Sequence, residues 1–224
     1  MKTDRFAVAV EHQIEYVSAH RSLMVRWGAI TLAVVLVGLG IYFYTAHQRT
    51  VREEKLADAI QIQEAPVGAV AQPGVRTFPT EEAKRAEVVK AFTGISTDFS
   101  GTTEGYIAQN FLGAIAADQG KMDEARKRFQ SVADSGDKNF SSLAKVSLAQ
   151  IDFAENRNAE GEKLLRDLMD HPTDLVSKEQ ATIVLARGIG KTKPAEARKL
   201  LEPLRTGAGG VSQAAVSALA DLPQ

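Results

Sequence analysis

Cysteine is absent from the 224-residue sequence. Its absence excludes disulfides, thiolate metal sites, cysteine nucleophiles and a lipid-modified cysteine anchor. An excess of charge of either sign is also lacking, because 27 Lys and Arg balance 28 Asp and Glu. This balance excludes the strongly basic surface expected of a nucleic-acid-binding protein. Aromatic residues make up 6% of the chain, whereas alanine and leucine are abundant, and this composition favours helix.

Residues that could carry catalysis are scarce as well. Two acidic pairs, Glu81-Glu82 and Asp123-Glu124, occur at predicted helix starts, where carboxylates interact favourably with the helix dipole. The four histidines are scattered, without the spacing of metal ligands: His12, His20, His47 and His171. We therefore predict no catalytic, metal-binding or cofactor-binding residue, and no cofactor. An enzyme whose site the sequence does not reveal is the alternative.

Charged residues are missing from one twenty-residue run, "WGAITLAVVLVGLGIYFYTA", at 27–46. A helix of this length spans the roughly 30 Å hydrocarbon core of a bilayer. Trp27 at one end and Tyr42 to Tyr44 at the other suit the headgroup region. We predict a single transmembrane helix at 27–46, with the buried helix of a soluble protein as the weaker alternative. A cleaved signal peptide is disfavoured, because the preceding region is too long and no cleavage site follows closely.

The segment at 1–26 is expected to be a cytoplasmic amphipathic tail. Four of its apolar residues share one helical face, which would dock on a partner or lie at the membrane surface: Phe6, Val10, Ile14 and Val17. Basic residues show a weak bias towards the N-terminal side of the apolar run, and the tail is short. We therefore expect a cytoplasmic N-terminus and a larger C-terminal part across the membrane, which in a bacterium is the periplasm.

A repeat fills the C-terminal part of the sequence. The segments "GKMDEARKRFQSV", "NRNAEGEKLLRDL" and "TKPAEARKLLEPL" each have a small residue followed four positions later by a large apolar one. The residues that define this repeat-packing pattern, at 36-position intervals, are Ala125, Gly161 and Ala197 with Phe129, Leu165 and Leu201. Such a period is typical of helix-turn-helix arrays, in which small residues let paired helices approach. We predict an all-α, TPR-like solenoid at 80–224, with about three helix pairs and a C-terminal cap helix, preceded by a juxtamembrane helix and Pro/Gly linker at 47–79.

The string "GIGKT" at 188–192 resembles the end of a phosphate-binding loop. Such a loop also needs a glycine at position 185, where the sequence has Leu185, and a preceding strand. The repeat instead places this string at a turn between two paired helices. We expect Gly188 and Gly190 to end one helix, Thr192 to cap the next and Pro194 to occupy its first turn. No nucleotide binding is predicted.

In a solenoid of this kind the first helices of the pairs line a concave face that meets an extended or helical partner. The 36-residue register assigns eight residues to this candidate partner-binding face: Ile107, Asn110, Ala114, Val146, Gln150, Phe153, Glu179 and Thr182. For Val146 and Ile107, burial in the core is an equal alternative. The predicted function is a membrane-tethered protein–protein interaction module that binds neither nucleotide nor nucleic acid.

The order of tail, Gly-containing apolar run, aromatics followed by "HQ" at His47-Gln48, and helix pairs with "GKMDEARKRF" resembles one known family. This is the tetratricopeptide-like ancillary subunit of the bacterial Sec translocon (the YfgM type). The resemblance implies an inner-membrane protein that associates with the translocon and with a membrane-bound periplasmic chaperone, assisting exported proteins. A scaffold for cell-envelope assembly or cell division is the alternative within the same class.

Overall fold

The computed structural model describes residues 21–68, 76–206 and 209–223. Within these ranges the protein is all-α: it has nine α-helices, one 3-10 turn and no strand beyond an isolated bridge between Val67 and Phe78. The chain divides into two compact units, one ending at Val51 and the other beginning at Arg52. The predicted apolar face at Phe6 to Val17, the middle of the Pro/Gly linker and Gly207 lie outside the described residues.

The first helix, α1, is Arg21–Glu64 and contains the uncharged run at 27–46. From Val25 onwards it is long and apolar enough to cross a membrane, and no part of its most apolar window is buried. Trp27 and the aromatic group at 42–44 are exposed at about two thirds of their surface. Length and composition therefore make α1 a candidate membrane anchor.

Eight shorter helices follow, in the order that the repeat predicts. They are α2 Glu81–Asp98, α3 Thr103–Asp118, α4 Met122–Ala133, α5 Lys138–Ala154, α6 Asn158–Asp170, α7 Lys178–Ile189, α8 Pro194–Leu201 and α9 Gly210–Ala220, with the 3-10 turn Glu202–Leu204 after α8. The first helices of the pairs begin at side-chain caps, for example Thr102 for α3 and Ser177 for α7, whose hydroxyl oxygens accept from the backbone N–H three residues on.

The second helices of the pairs start differently. Their N-cap residues are Lys121, Arg157 and Lys193, which are 36 positions apart and provide no side-chain cap. Helices α4, α6 and α8 therefore begin in strict register. The backbone of the preceding turn, rather than a side-chain cap, determines where each of them starts. Pro194 occupies the first turn of α8, where its fixed φ and missing N–H are tolerated.

Packing follows the pairs: α3 lies on α4, α5 on α6 and α7 on α8, while α4 also contacts α5 and α6 contacts α7. The first helices also contact one another, α3 with α5 and α5 with α7, and α9 packs on α7 and α8. Three apolar clusters result. One of them joins Ala59 and Ile62 of α1 to α2 and α3, so the end of α1 takes part in the first layer of the array.

All six residues of the repeat-packing pattern are buried in the structure. Ala125 and Ala197 have no exposed surface, and a Cβ at Gly161 would lie 3.1 Å from the carbonyl oxygen of Ala149. In the first pair the helices approach equally closely, but the glycine lies on the first helix, α3. A Cβ at Gly113 would lie 2.8 Å from the ring of Phe129 on α4. A missing side chain on one helix thus makes room for a large one on its partner.

Helix α7, the first helix of the third pair, departs from the 36-residue register by one position. Buried positions of α3 recur in α5 after 36 residues, as in Ala116 and Asp152, but those of α5 recur in α7 after 37, as in Asp152 and Ile189. The second helices keep 36 throughout. The connection from α7 to α8, counted from the last buried position of the first helix, is therefore one residue shorter than the two before it.

Backbone hydrogen bonds show how the shorter connection closes. In the first two turns, the N–H of Lys121 donates to Ala116 O and that of Arg157 to Asp152 O, each spanning five residues. Gly120 and Asn156 have positive φ values of 73° and 61° there, as expected for a helix end closed by a left-handed residue. In the third turn the N–H of Lys193 donates to Ile189 O across four residues, and Gly190 is right-handed.

Candidate partner-binding surface

The first helices of the three pairs leave one side uncovered, and its residues form a stripe across α3, α5 and α7. On α3 and α5 these positions repeat every 36 residues, and on α7 every 37. We call this the inner stripe, and all its members are exposed or half-exposed. They are Ile107, Phe111, Ala114 and Asp118; Leu143, Ser147, Gln150 and Ala154; and Gln180, Val184, Arg187 and Lys191, the last lying in the turn after α7.

A cavity of about 300 Å³ opens on the inner stripe between α3 and α5. We call it the inner groove. Its rim belongs to the stripe, through Ala114, Asp118, Ser147, Gln150 and Ala154. Its apolar floor is supplied by the remaining lining residues, Ala117, Met122, Phe129 and Ile151. Small side chains on the rim therefore give access to a pocket that an apolar side chain of a partner can fill.

The next junction, between α5 and α7, is filled by Phe153 instead. Phe153 is the register equivalent of Ala117, and Gly188 is the equivalent of Ile151. A Cβ at Gly188 would lie only 2.2 Å from the Phe153 ring, and a Cβ at Gly161 3.1 Å from it. The ring thus takes the space that two glycines leave. The groove is open between the first two pairs because alanine stands where the second pair has phenylalanine.

The structure brings two of the eight predicted face residues, Ala114 and Gln150, together at the rim of the inner groove. Ile107 lies on the inner stripe, half-exposed, and Glu179 and Asn110 are half-exposed beside it. The Asn110 amide donates to Tyr106 O at 3.0 Å. Phe153 packs between helices.

Three of the eight assignments are corrected by the structure. Phe153 fills the junction between α5 and α7, and for Val146 the alternative of burial in the core holds. Val146 and Thr182 are each 6% exposed, so neither presents a surface to a partner. Val146 belongs to the apolar cluster that joins α5 to the last pair. The 36-residue register assigns Thr182 from Val146, which is itself buried. In the 37-residue register of α7 the equivalent of Thr182 on α5 is Lys145, which reaches Asp167 of its own second helix at 3.3 Å. That position faces the second helix of the pair.

Sequence reasoning missed Gln180, Val184, Arg187 and Lys191 as members of the inner stripe. A strict 36-residue register points one residue too early on α7, although the exposed polar residues there recur with helical spacing. The signal that could have revealed the shift is the third turn itself. It has Thr192 where Gly120 and Asn156 stand in the other copies, and threonine is unsuited to the left-handed conformation.

Ion pairs join neighbouring helices elsewhere. Asp152, whose side chain is 4% exposed, binds Arg126 at 2.9 Å and Arg157 at 3.2 Å, and Glu155 binds the same two arginines. This network links α4 to α5 and to the turn before α6 through ion pairs. Because the buried carboxylate of Asp152 has two cationic partners, its desolvation is offset.

A second network fastens α6 to α8. Glu162 accepts from Lys193 at 2.6 Å and from Arg166 at 3.2 Å, and Arg166 also binds Glu196 at 2.6 Å. The hydrogen bond from Lys193, followed by that from Arg166, lowers the pKa of the Glu162 carboxyl. The hydrogen bond from Glu196 in turn raises the pKa of Arg166. These contacts stabilise the charged forms of Glu162 and Arg166.

The "GIGKT" string lies where the repeat places it, at the turn between α7 and α8, and a helix rather than a strand precedes it. Two details differ from expectation. Gly188 lies inside α7, where it makes room for Phe153, and does not end the helix. Thr192 does not cap α8: its hydroxyl donates back to Ile189 O at 3.2 Å, and the N-cap residue is Lys193.

The fold and the stripe define an α-solenoid of paired helices with an accessible inner face. The model of the family described as tetratricopeptide repeat-like domain matches residues 21–200, which is well over half of the chain, and the chain belongs to this family. The match includes α1 and all three helix pairs except the last residue of α8. Neither a search of curated proteins nor a search of solved structures found a match. Repeat folds of this family are generally protein-binding modules rather than enzymes.

Proposed function

We propose that this protein is a membrane-anchored interaction module of the bacterial inner membrane, ancillary to the Sec translocon and to a membrane-bound periplasmic chaperone. The observation that carries the interaction role is the inner groove. It is an unfilled pocket with an apolar floor, at the position where the next junction of the same array is closed by Phe153. Because the next junction of the same array is tightly packed, the open groove is not explained by loose packing of the whole array. This favours a role for the groove in binding.

The particular partners are proposed from the order of segments along the chain. A short tail, one apolar helix with aromatic ends and a repeat array resemble the ancillary translocon subunits, and α1 supplies a helix long enough to span a bilayer. We infer a cytoplasmic N-terminus and a periplasmic array. An envelope-assembly or division scaffold has the same design, so the identity of the partner decides between the two.

Crosslinking in living cells tests the partner. A photo-crosslinking amino acid at Gln150 places the reactive group at the rim of the inner groove, and the same group at Ala159, exposed on α6, is the matched control. We expect ultraviolet light to link position 150, but not 159, to a translocon subunit or to the chaperone. Products containing division or envelope-assembly proteins alone would establish the alternative function.

A variant that blocks the inner groove tests whether the crosslinked partner binds there. Ala114 is exposed at the rim, so Ala114→Phe can place a ring over the opening without entering the core. It should abolish the crosslink from position 150, whereas Ala159→Phe should leave it intact. An undiminished crosslink in Ala114→Phe would mean that the partner binds outside the groove.

The anchor is tested separately. A fragment of residues 49–224 should be soluble and helical without detergent, and protease added to spheroplasts should digest the array of the full-length protein. A fragment that needs detergent, or an array that is protected until the inner membrane is opened, would contradict the proposed topology.

A further inference from the structure

The inner stripe carries a gradient of charge along the array. On α3 its charged residue is Asp118, on α5 the stripe is uncharged, and on the α7 side it has the two cations Arg187 and Lys191. All three charged residues are exposed, and none forms an ion pair with another described residue. They differ in this from the arginines and lysines of the outer networks, such as Arg126 and Lys193, whose charges are already matched.

Free cations at an accessible face are a recognition element for carboxylates. Arg187 has a planar guanidinium that can bind a carboxylate through two hydrogen bonds, and Lys191 adds a second positive charge four residues later. Both cations also lie at the C-terminal end of α7, where the negative end of the helix dipole favours positive charge. The helix dipole therefore stabilises two cations that have no ion-pair partner among the residues the structure describes.

We propose that the inner stripe binds an extended peptide segment that carries an apolar side chain followed or preceded by acidic residues. The apolar side chain occupies the inner groove between α3 and α5, and the carboxylates bind Arg187 and Lys191. This deepens the proposed function, on which it rests, by stating the chemistry of the partner. Charge complementarity selects this occupant, because a basic segment would face two unpaired cations across the stripe.

The charges of the stripe also determine at which end the acidic residues of the segment lie. Asp118, at the opposite end of the stripe, repels carboxylates and suits the positive end or a basic side chain of the peptide. The apolar contact lies between the two charged ends. A segment bound with its acidic residues at the α3 end would meet Asp118 instead of the cations, so the acidic residues lie at the α7 end.

The test uses the full-length protein in zwitterionic nanodiscs and a phage-displayed library of random twelve-residue peptides. Selected peptides are then measured against Arg187→Gln/Lys191→Gln and against the control Lys163→Gln/Lys199→Gln. The control also removes two cations, but these lie on the outer helices α6 and α8. Both are exposed, and neither forms an ion pair with a described residue. Equal melting temperatures of the two double variants check that both fold.

We expect the selected peptides to be enriched in Asp and Glu beside an apolar residue. Their dissociation constants should rise at least about tenfold in Arg187→Gln/Lys191→Gln, the loss of one to two charged contacts, and change little in the control. Ala114→Phe should weaken binding of the same peptides.

Three outcomes would overturn the inference. They are selected peptides without an acidic bias, equal affinity of both double variants, and failure to select any peptide. Binding to vesicles containing phosphatidylglycerol that requires Arg187 and Lys191, with no acidic peptide selected, would assign the cations to lipid instead. The proposed function fails by a different result, the absence of a crosslink at position 150 in cells, so the two failures are distinguishable.

Discussion

The first two helix pairs and the third solve the same packing problem with different connections. In α3–α4 and α5–α6, a left-handed residue closes the turn, and the buried positions repeat every 36 residues. In α7–α8 the turn is one residue shorter and has no residue of positive φ among 190–193. One apolar cluster packs α3, α4 and α5 together, and another packs α5 against the last helices. A one-residue difference in a turn thus leaves the packing intact but rotates which residues of α7 are displayed.

The junction between the second and third pairs gives the largest expected effect. Phe153→Ala removes the ring that fills the space beside Gly188 and Gly161, and it should cost about 3 kcal/mol of unfolding free energy. Chemical denaturation of the array measures this loss. The equivalent residue at the first junction is Ala117, so no comparable ring can be removed there.

Combining two variants sharpens this comparison. Gly188→Ala alone should cost about 1–3 kcal/mol, because the new methyl group meets the Phe153 ring. In the Phe153→Ala background the same methyl enters vacated space, so the double variant should lose less than the sum of the single losses. Additive losses would show that Phe153 and Gly188 do not pack against each other.

The small residues of the second helices should respond alike in the first and third pairs. Ala125→Leu and Ala197→Leu overpack fully buried positions and should each cost about 1–3 kcal/mol. Ala195→Leu, exposed on the same helix as Ala197, is the control, expected within about 0.5 kcal/mol of the parent. Melting temperatures unchanged in both buried variants would mean that the second helices do not approach as closely as described.

The turns themselves provide the next largest contrast. Gly120→Ala places a side chain at a φ of 73° and should cost about 1–2 kcal/mol. Thr192→Ala, at the register equivalent, should cost no more than about 0.5 kcal/mol, because Thr192 neither caps α8 nor has a positive φ. A loss of about 1 kcal/mol or more in Thr192→Ala, measured by urea denaturation, would indicate that the third turn closes like the others.

The smallest effect concerns pH and the network between α6 and α8. The pKa of Glu162 is lower in the folded protein than in the unfolded chain. Its contribution to stability is therefore present above the unfolded pKa and is lost as pH falls through the folded pKa. The difference in melting temperature between the parent and Glu162→Gln should be larger at pH 7 than at pH 3. A difference that is independent of pH would show that the ion pairs with Lys193 and Arg166 contribute nothing.

Much of this fold can be predicted from the sequence, because its signals are local and periodic. The uncharged run at 27–46 specifies a helix by composition alone, and the recurrence of Ala125, Gly161 and Ala197 specifies the second helices. The surface of α7 could not be predicted in the same way. Its rotation depends on how the backbone closes between Ile189 and Lys193. Thr192 argues against a left-handed turn there, but it does not specify the hydrogen bond that closes the turn instead. The groove likewise arises from the absence of a ring at Ala117, which only packing reveals.

The shortened third turn acts like a shift of reading frame. In a solenoid, each turn fixes the phase in which the side chains of a neighbouring helix are presented, much as a deletion shifts the codons that follow it. Here the shift exposes Arg187 on the open side and buries Ala186 in its place. A change of length in a turn is thus a way to exchange a whole row of contacts at once, without a single substitution in a helix.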